Sequence, residues 1–462
     1  MHLDYESIQR VAPEARIVHG TLPHDVTFAI DSRSLKPSEL FFALTGEKTD
    51  GHLFLSDALA NSAGIVIAQH KEHLLLNLPQ QLLEKKIIIV VNNPFDFLID
   101  LARMWRARFS YPVIGITGSI GKTSTKDTLV SILETCGKKY IASYANQNTL
   151  LGSALTISRM RSDLDYAVFE AGISKVGEMA RIAQLLQPTT GIITYIAHTH
   201  TDGLGNLASI SNEKRTLFSH FQETSIGIIN GDLPVLSVTS YPHPVIRFGL
   251  KTSNQVQARQ IKHNGSSLSF NLKLYGEKYP LTLSPDHPGR LNSALACIAM
   301  GHHLGLPLEK VIAGIQAYAP VQQRFKSCPL KDFQGVVIDD SYNASPESVK
   351  AALTAFDHLP HDGKKIAVLG DMLGLGSTSS FWHRQLGRFL KKTPTVTHVI
   401  FVGKETEASL SVVPPHITVA HVKEWNDAIP AVRATLEDNS AVLVKGSNGI
   451  QLNKVVKELV QE

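Results

Sequence analysis

The run Gly118-Ser119-Ile120-Gly121-Lys122-Thr123-Ser124-Thr125 constrains the fold more than any other stretch, because β-type residues (Val113 to Thr117) precede it and an amphipathic stretch (Lys126 to Thr135) follows. A strand that feeds a glycine loop and then a helix aims successive backbone N–H groups, and the positive end of the helix dipole, at one anion. Lys122 adds a point charge, and the Thr123 hydroxyl is placed to hold Mg²⁺ on a phosphate. Contacts to a ligand's phosphates are therefore expected from Gly118, Ser119, Ile120, Gly121, Lys122, Thr123 and Ser124. Only two residues separate the glycines, against four in the usual P-loop, which narrows the field. The plainer alternative, a glycine turn beside a solvated lysine, conflicts with strand, turn and helix signals that all agree.

A chain of 462 residues exceeds what one core organises, and its 43% hydrophobic content can fill several. The expected class is α/β in three domains: an N-terminal α/β unit (1–98), a central P-loop unit with a parallel sheet (99–321) and a C-terminal Rossmann-like, doubly wound unit (322–462). The first unit ends in the apolar run Ile87 to Val91 and the turn Asn93-Pro94. In the second, strand-like segments (Tyr166 to Glu170, Thr190 to Ile196, Ile226 to Asn230) alternate with helical ones (Val176 to Leu186, Ile210 to Phe218), and an antiparallel insertion around Val256 to Leu283 interrupts the rhythm. The third has strands at Gly335 to Asp339, Lys365 to Gly370, His398 to Gly403 and Ala441 to Lys445 but no G-x-G-x-x-G after the first, so a nicotinamide or flavin site lacks its main support. A net charge of +4 without a long basic run points away from nucleic acid. With no apolar h-region at the start and no apolar run near the ~20 residues that span a bilayer, a cytoplasmic location with no membrane insertion is expected, and a monomer is the expected state. Cys136, Cys297 and Cys328, few and widely spaced, fit packing better than a disulfide framework or a zinc site.

Acidic and imidazole side chains fall at the carboxyl ends of the central unit's later strands, where open α/β sheets bind ligands. Glu170 ends one strand, His200 lies just beyond another in Ala197-His198-Thr199-His200-Thr201, and Lys214 follows on a helix. Singly, each is as readily a surface residue. Together, in this order behind the phosphate loop, they resemble the Mur ligase superfamily, whose ATP-dependent enzymes form the amide bonds of peptidoglycan precursors.

The resemblance covers nearly the whole chain. Asp31-Ser32-Arg33, Leu40 to Gly46 and Asp50-Gly51-His52 are similar to the family's domain for the UDP part of the substrate, which implies substrate contacts by Ser32 and Arg33. Asn146, Asn148 and Thr149 stand where the family closes over the muramoyl peptide. Glu170, His200 and Lys214 match its metal positions, implying that Thr123, Glu170, His200 and Lys214 as a carbamate hold Mg²⁺. Arg324 matches an arginine on the ATP phosphates. The run Asp339-Asp340-Ser341-Tyr342-Asn343-Ala344 resembles the branch that adds a dipeptide, with Asp340 and Tyr342 serving the nucleoside. The implied reaction adds D-alanyl-D-alanine to UDP-N-acetylmuramoyl tripeptide through an acyl phosphate, with Lys122, Lys214, His200 and Arg324 as the catalytic groups. The alternatives are another amide ligase of the superfamily, adding the third peptide residue, and a P-loop ATPase that does not ligate. Departures from the pattern are Thr194-Tyr195 for T-N, Gly289-Arg290 for a His-Asn pair, with Asn292 the nearest adenine-contacting candidate, and Gly374 for a glutamate. Because the motifs lie in three units, closure is expected to bring Arg324 to the phosphates.

Overall fold

The computed structural model describes residues 1–23, 25–83, 86–144, 147–264, 267–284, 289–319 and 323–460. Asn146 and the expected 321/322 boundary lie outside the described residues. Three sheets carry the molecule, in keeping with the α/β class expected from the sequence. The first contains β1 (Arg16–His19), β2 (Thr27–Ala29), β3 (Glu39–Phe42), β4 (Gly64–Ala68) and β5 (Ile87–Val91), in the order β1-β5-β4-β3-β2. β5 reads Ile-Ile-Ile-Val-Val and is buried throughout, as a strand covered on both faces must be. The Asn93 side chain caps the next helix by accepting from the Phe95 N–H at 2.9 Å, and Pro94 supplies the first helical position. That helix, Pro94–Arg106, runs unbroken across position 98. Its residues Phe97, Leu98, Leu101 and Ala102 join one core with Phe42 of the first sheet and Phe169 of the second.

The second sheet contains β6 (Val113–Thr117), β7 (Tyr140–Ala142), β8 (Tyr166–Glu170), β9 (Thr190–Ile193), β10 (Ile226–Asn230), β11 (Val245–Gly249), β12 (Val256–Asn264), β13 (Ser267–Leu274) and β14 (Glu277–Leu283). Its order is β14-β13-β12-β11-β10-β9-β6-β8-β7, parallel from β7 as far as β12. The segment Val256 to Leu283 interrupts the alternation of strand and helix while continuing the sheet: β12 pairs in parallel with β11, and two antiparallel strands then extend the edge. β6 lies between β8 and β9, so the order reverses around it, and the crevice at its carboxyl end is where such sheets take ligands.

The third sheet, β15 (Lys326–Pro329), β16 (Gly335–Asp340), β17 (Lys365–Gly370), β18 (Val396–Val402), β19 (Thr418–Val422) and β20 (Ser440–Lys445), has the order β15-β16-β20-β17-β18-β19 and is parallel except for β15. Buried clusters fill both of its faces. No helix among the described residues is long and apolar enough to cross a membrane.

One polar knot in the first unit makes a testable contribution to stability. The His52 ring sits 2.6 Å from an Asp50 oxygen through Nδ1, while its Nε2 accepts the Ala68 N–H at 3.1 Å, so Nδ1 carries the proton. Burial opposes the Asp50 charge, yet bonds from His52 and Lys71 outweigh it and hold the carboxyl below the ordinary range. A depressed folded value stabilises above the unfolded pKa of about 4 and is lost as pH falls below it. Asp50→Ala is expected to cost about 1–3 kcal/mol at neutral pH. Urea unfolding at descending pH should show the gap to the native chain narrowing below pH ~4; a gap constant with pH would mean that the Asp50 charge contributes nothing.

Candidate active site

The phosphate loop connects β6 to the helix Lys122–Thr135, and its shape is set from outside as much as from within. Gly121 caps that helix at φ 85°, in left-handed space that glycine occupies without strain. Gly118 has φ 152°, and a Cβ there would stand 2.0 Å from the Thr194 hydroxyl oxygen. That hydroxyl donates to the Ile120 carbonyl at 2.6 Å, and the Ser119 N–H donates to the Tyr195 carbonyl at 2.6 Å. The segment after β9 thus braces the loop.

A polar cluster gathers in front of it. Glu170, at the end of β8 beside β6, is buried and accepts from the Thr123 hydroxyl at 2.7 Å and from Asn148 Nδ2 at 2.9 Å. Arg324 reaches across from the third unit and donates to Thr123 Oγ1 at 2.9 Å. Lys122 folds back to donate to the Gly118 carbonyl at 2.9 Å. Burial lowers the pKa of Lys122, and nearby Glu170 resists that shift while Arg324 reinforces it. Lys214 is buried and pushed well below the ordinary lysine range, first by burial and then by Lys122. His200, at φ 52° and open to the cavity, is lowered by burial and by both lysines. A site that sets Lys122 and Arg324 beside Glu170 carries an excess of positive charge that suits a polyanion.

These groups line a cavity of about 740 Å³ that also holds Thr149, Asn292, Asp340 and Tyr342. Residues 118–124, Asn148, Glu170, His200, Lys214 and Arg324 therefore converge on one space. Ser32 and Arg33 do not reach it: Arg33 is exposed and paired with Asp31 at 2.7 Å. Thr149 also has a local duty, its hydroxyl oxygen capping the helix Leu150–Ile157 by accepting from Gly152 N–H at 3.2 Å. Asn292 opens onto the cavity, whereas Arg290 turns inward and donates to the Ile315 carbonyl at 3.1 Å.

Three features were not evident in the sequence. Lys445, buried at the end of β20, is 2.7 Å from Asp340 Oδ2 at the end of the adjacent β16, so one acceptor of Asp340 is already engaged. Burial raises the Asp340 pKa and Lys445 opposes the rise. The Arg324 guanidinium lies 4.2 Å from the centroid of the Tyr342 ring and covers one of its faces. The third feature is a bridge between units: His198 Nδ1 is 2.8 Å from Glu347 and its ring lies 4.6 Å from that of Trp382, while Thr201 N–H donates to the Gly374 carbonyl at 2.8 Å. With Arg324 already on Thr123, the third unit is seen docked on the phosphate loop, not standing apart from it.

The family model for the Mur ligase middle domain matches residues 116–301, that for the Mur ligase glutamate ligase domain 323–448, and that for the Mur ligase family catalytic domain 27–106. Over 443 residues the chain is 31% identical to the UDP-N-acetylmuramoyl-tripeptide--D-alanyl-D-alanine ligase of Escherichia coli, covering 93% of this chain and 92% of that one. Among solved structures, the MurF ligase of Thermotoga maritima in complex with ADP superposes with TM-score 0.78 at 23% identity over 93% of this chain and 96% of that one. The UDP-N-acetylmuramoylalanyl-D-glutamyl-2,6-diaminopimelate--D-alanyl-D-alanyl ligase of Acinetobacter baumannii gives 0.79 at 23% identity, over 98% and 97%.

Proposed function

The chain belongs to the Mur ligase family, and from that premise we propose that it joins D-alanyl-D-alanine to a UDP-N-acetylmuramoyl tripeptide in the cytoplasm, acting as a monomer and consuming ATP. The observation that carries this reading is the single cavity in which the phosphate loop of the central unit meets Arg324, Asp340 and Tyr342 of the third. A simple switch ATPase has no need of a nucleoside site on a separate domain.

A carboxylate resists amines because its carbonyl is a poor electrophile and O²⁻ does not leave. One oxygen of the peptide's terminal carboxylate attacks the γ-phosphorus of ATP, ADP departs, and an acyl phosphate results. The dipeptide amine then attacks the acyl carbon, the tetrahedral oxyanion collapses, inorganic phosphate leaves and the amine proton passes to solvent or phosphate. Loop N–H groups, Lys122 and Arg324 offset the phosphoryl charge in both steps, which is positioning and electrostatics without a protein nucleophile. Tyr342 offers its ring to adenine, Asp340 its remaining lone pairs to ribose, and Asn292 an amide to the base. Ser32 and Arg33 serve the UDP end, on the first unit, and Asn146, Asn148 and Thr149 the peptide.

Among the described residues no three His, Cys, Asp or Glu side chains converge as a protein-only metal cage. Mg²⁺ shared with ATP needs only one or two protein oxygens beside the phosphates, and the Thr123 hydroxyl with Glu170 provides them. When bound it neutralises phosphoryl charge. Asn148 holds Glu170 in place, and His200 with a carbamylated Lys214 would complete a second Mg²⁺ position.

Measuring ADP release tests the reading. Release is expected only when both the UDP-tripeptide and D-alanyl-D-alanine are present. Dependence instead on a UDP-dipeptide and a single amino acid would identify the branch that adds the third residue, and acceptor-independent release would identify an ATPase that does not ligate.

A further inference from the structure

Beside the main cavity lies a second, of about 170 Å³, where the helix Pro94–Arg106 meets the helix Glu178–Leu186. Leu150 and Arg181 line both, so the two spaces share a wall. The Arg181 guanidinium is exposed and stands 5.8 Å from the centroid of the Phe95 ring, and among the described residues it forms no ion pair. Across from it the first helix presents Asp96 and Asp100. Asp100 pairs with Arg103 at 2.9 Å, and one oxygen of Asp96 accepts from Asn93 at 2.6 Å. The pocket thus offers an unpaired cation on one wall and two carboxylates, only one of them offset by an arginine, on the other.

A ligand end that matches this pattern carries both signs. A carboxylate suits the planar fork of Arg181, already oriented by its aromatic neighbour, and an ammonium suits Asp96 and Asp100. An α-amino-acid terminus places the two charges on one carbon. We propose that this pocket reads the third residue of the peptide and selects a side chain that ends in an amino-acid zwitterion, the chemistry of 2,6-diaminopimelate, over one that ends in a bare ammonium, the chemistry of lysine. The inference rests on the ligase reading above. A lysine side chain brings an ammonium toward Arg181 and leaves the guanidinium without a counter-charge, so discrimination comes from repulsion as well as attraction.

The test uses the full chain and two UDP-tripeptides that differ only in the third residue, diaminopimelate or lysine, with initial rates of ADP release at saturating ATP and D-alanyl-D-alanine. The native chain is expected to favour the diaminopimelate peptide in kcat/KM by tenfold or more. In Arg181→Gln that preference should collapse through KM, with kcat changed less than twofold, and Arg181→Lys should retain part of it. Activity of the variant on the lysine peptide reports that it has folded. Equal use of both peptides by the native chain, a preference for lysine, or equal losses on both peptides in Arg181→Gln would overturn the proposal while leaving the ligase reading intact. Turnover of neither peptide by the native chain would overturn both.

Discussion

Lys122→Ala is expected to abolish ligation, lowering ADP formation by about a thousandfold or more, some 4 kcal/mol of barrier, while leaving the fold in place. Structure and electrostatics give the two halves of that statement separately. Among the described residues the Lys122 ammonium bonds only to carbonyls of its own loop, Gly118 at 2.9 Å and Ser119 at 3.5 Å. Burial already disfavours its charge, so the alanine variant removes an ammonium that folding does not favour. Thermal unfolding should accordingly shift by no more than a few degrees. ATP brings a better acceptor than a carbonyl, and the lysine is expected to turn from Gly118 to the transferring phosphoryl group, whose charge spreads in the transition state. Near-normal turnover at saturating ATP would remove the phosphate-loop assignment altogether.

That prediction was open to a reader of the sequence, because a strand, a glycine turn and a helix start are local signals. So were the central strands: β5, β6 and β20 are short apolar runs buried on both faces, and such runs stand out in any window. The edge strands did not. β19, Thr-Val-Ala-His-Val, is only partly covered, and β15 mixes Lys, Ser, Cys and Pro, so neither carries a continuous apolar signature. Position 98 falls within a helix because the drop in apolar character after β5 marks the end of a strand, whereas the cores of the first two sheets are joined through that helix. The run Val256 to Leu283 does break the alternation of strand and helix, with three strands in succession, but no local pattern says which sheet edge such a run will extend. The partnership of Asp340 with Lys445 depends on β16 and β20 being neighbours, a fact of topology separated by about a hundred residues of sequence. In the same way, the phase of one helical turn decides that Asn292 and not Arg290 faces the cavity.

The second large effect is expected at Lys214, and its form distinguishes chemistry from packing. Lys214→Ala should lower kcat by about 100-fold, ~2.7 kcal/mol, and a short carboxylic acid such as formate added to the buffer should restore part of the loss. The reason lies in where the amine sits. It is buried with Lys122 close by, and both burial and that neighbouring cation push its pKa well below the ordinary lysine value. A neutral amine keeps its lone pair and can add to CO₂, forming an N–C bond and releasing one proton, so that a disfavoured cation becomes an anion. An anion at this point offsets the neighbouring Lys122 and, with the His200 imidazole, would supply ligands to a Mg²⁺ beside the phosphates. Formate supplies the same charge to the space vacated in the alanine variant. A lysine that only packs offers no such route, and no added acid would rescue its loss. Lys214→Arg is expected to stay inactive and unrescued, because it keeps the bulk and the positive charge. An unmodified amine, found by mass spectrometry and in density of an active, metal-loaded enzyme, would end the carbamate assignment, as would equal activity of the alanine variant with and without formate across a full concentration series.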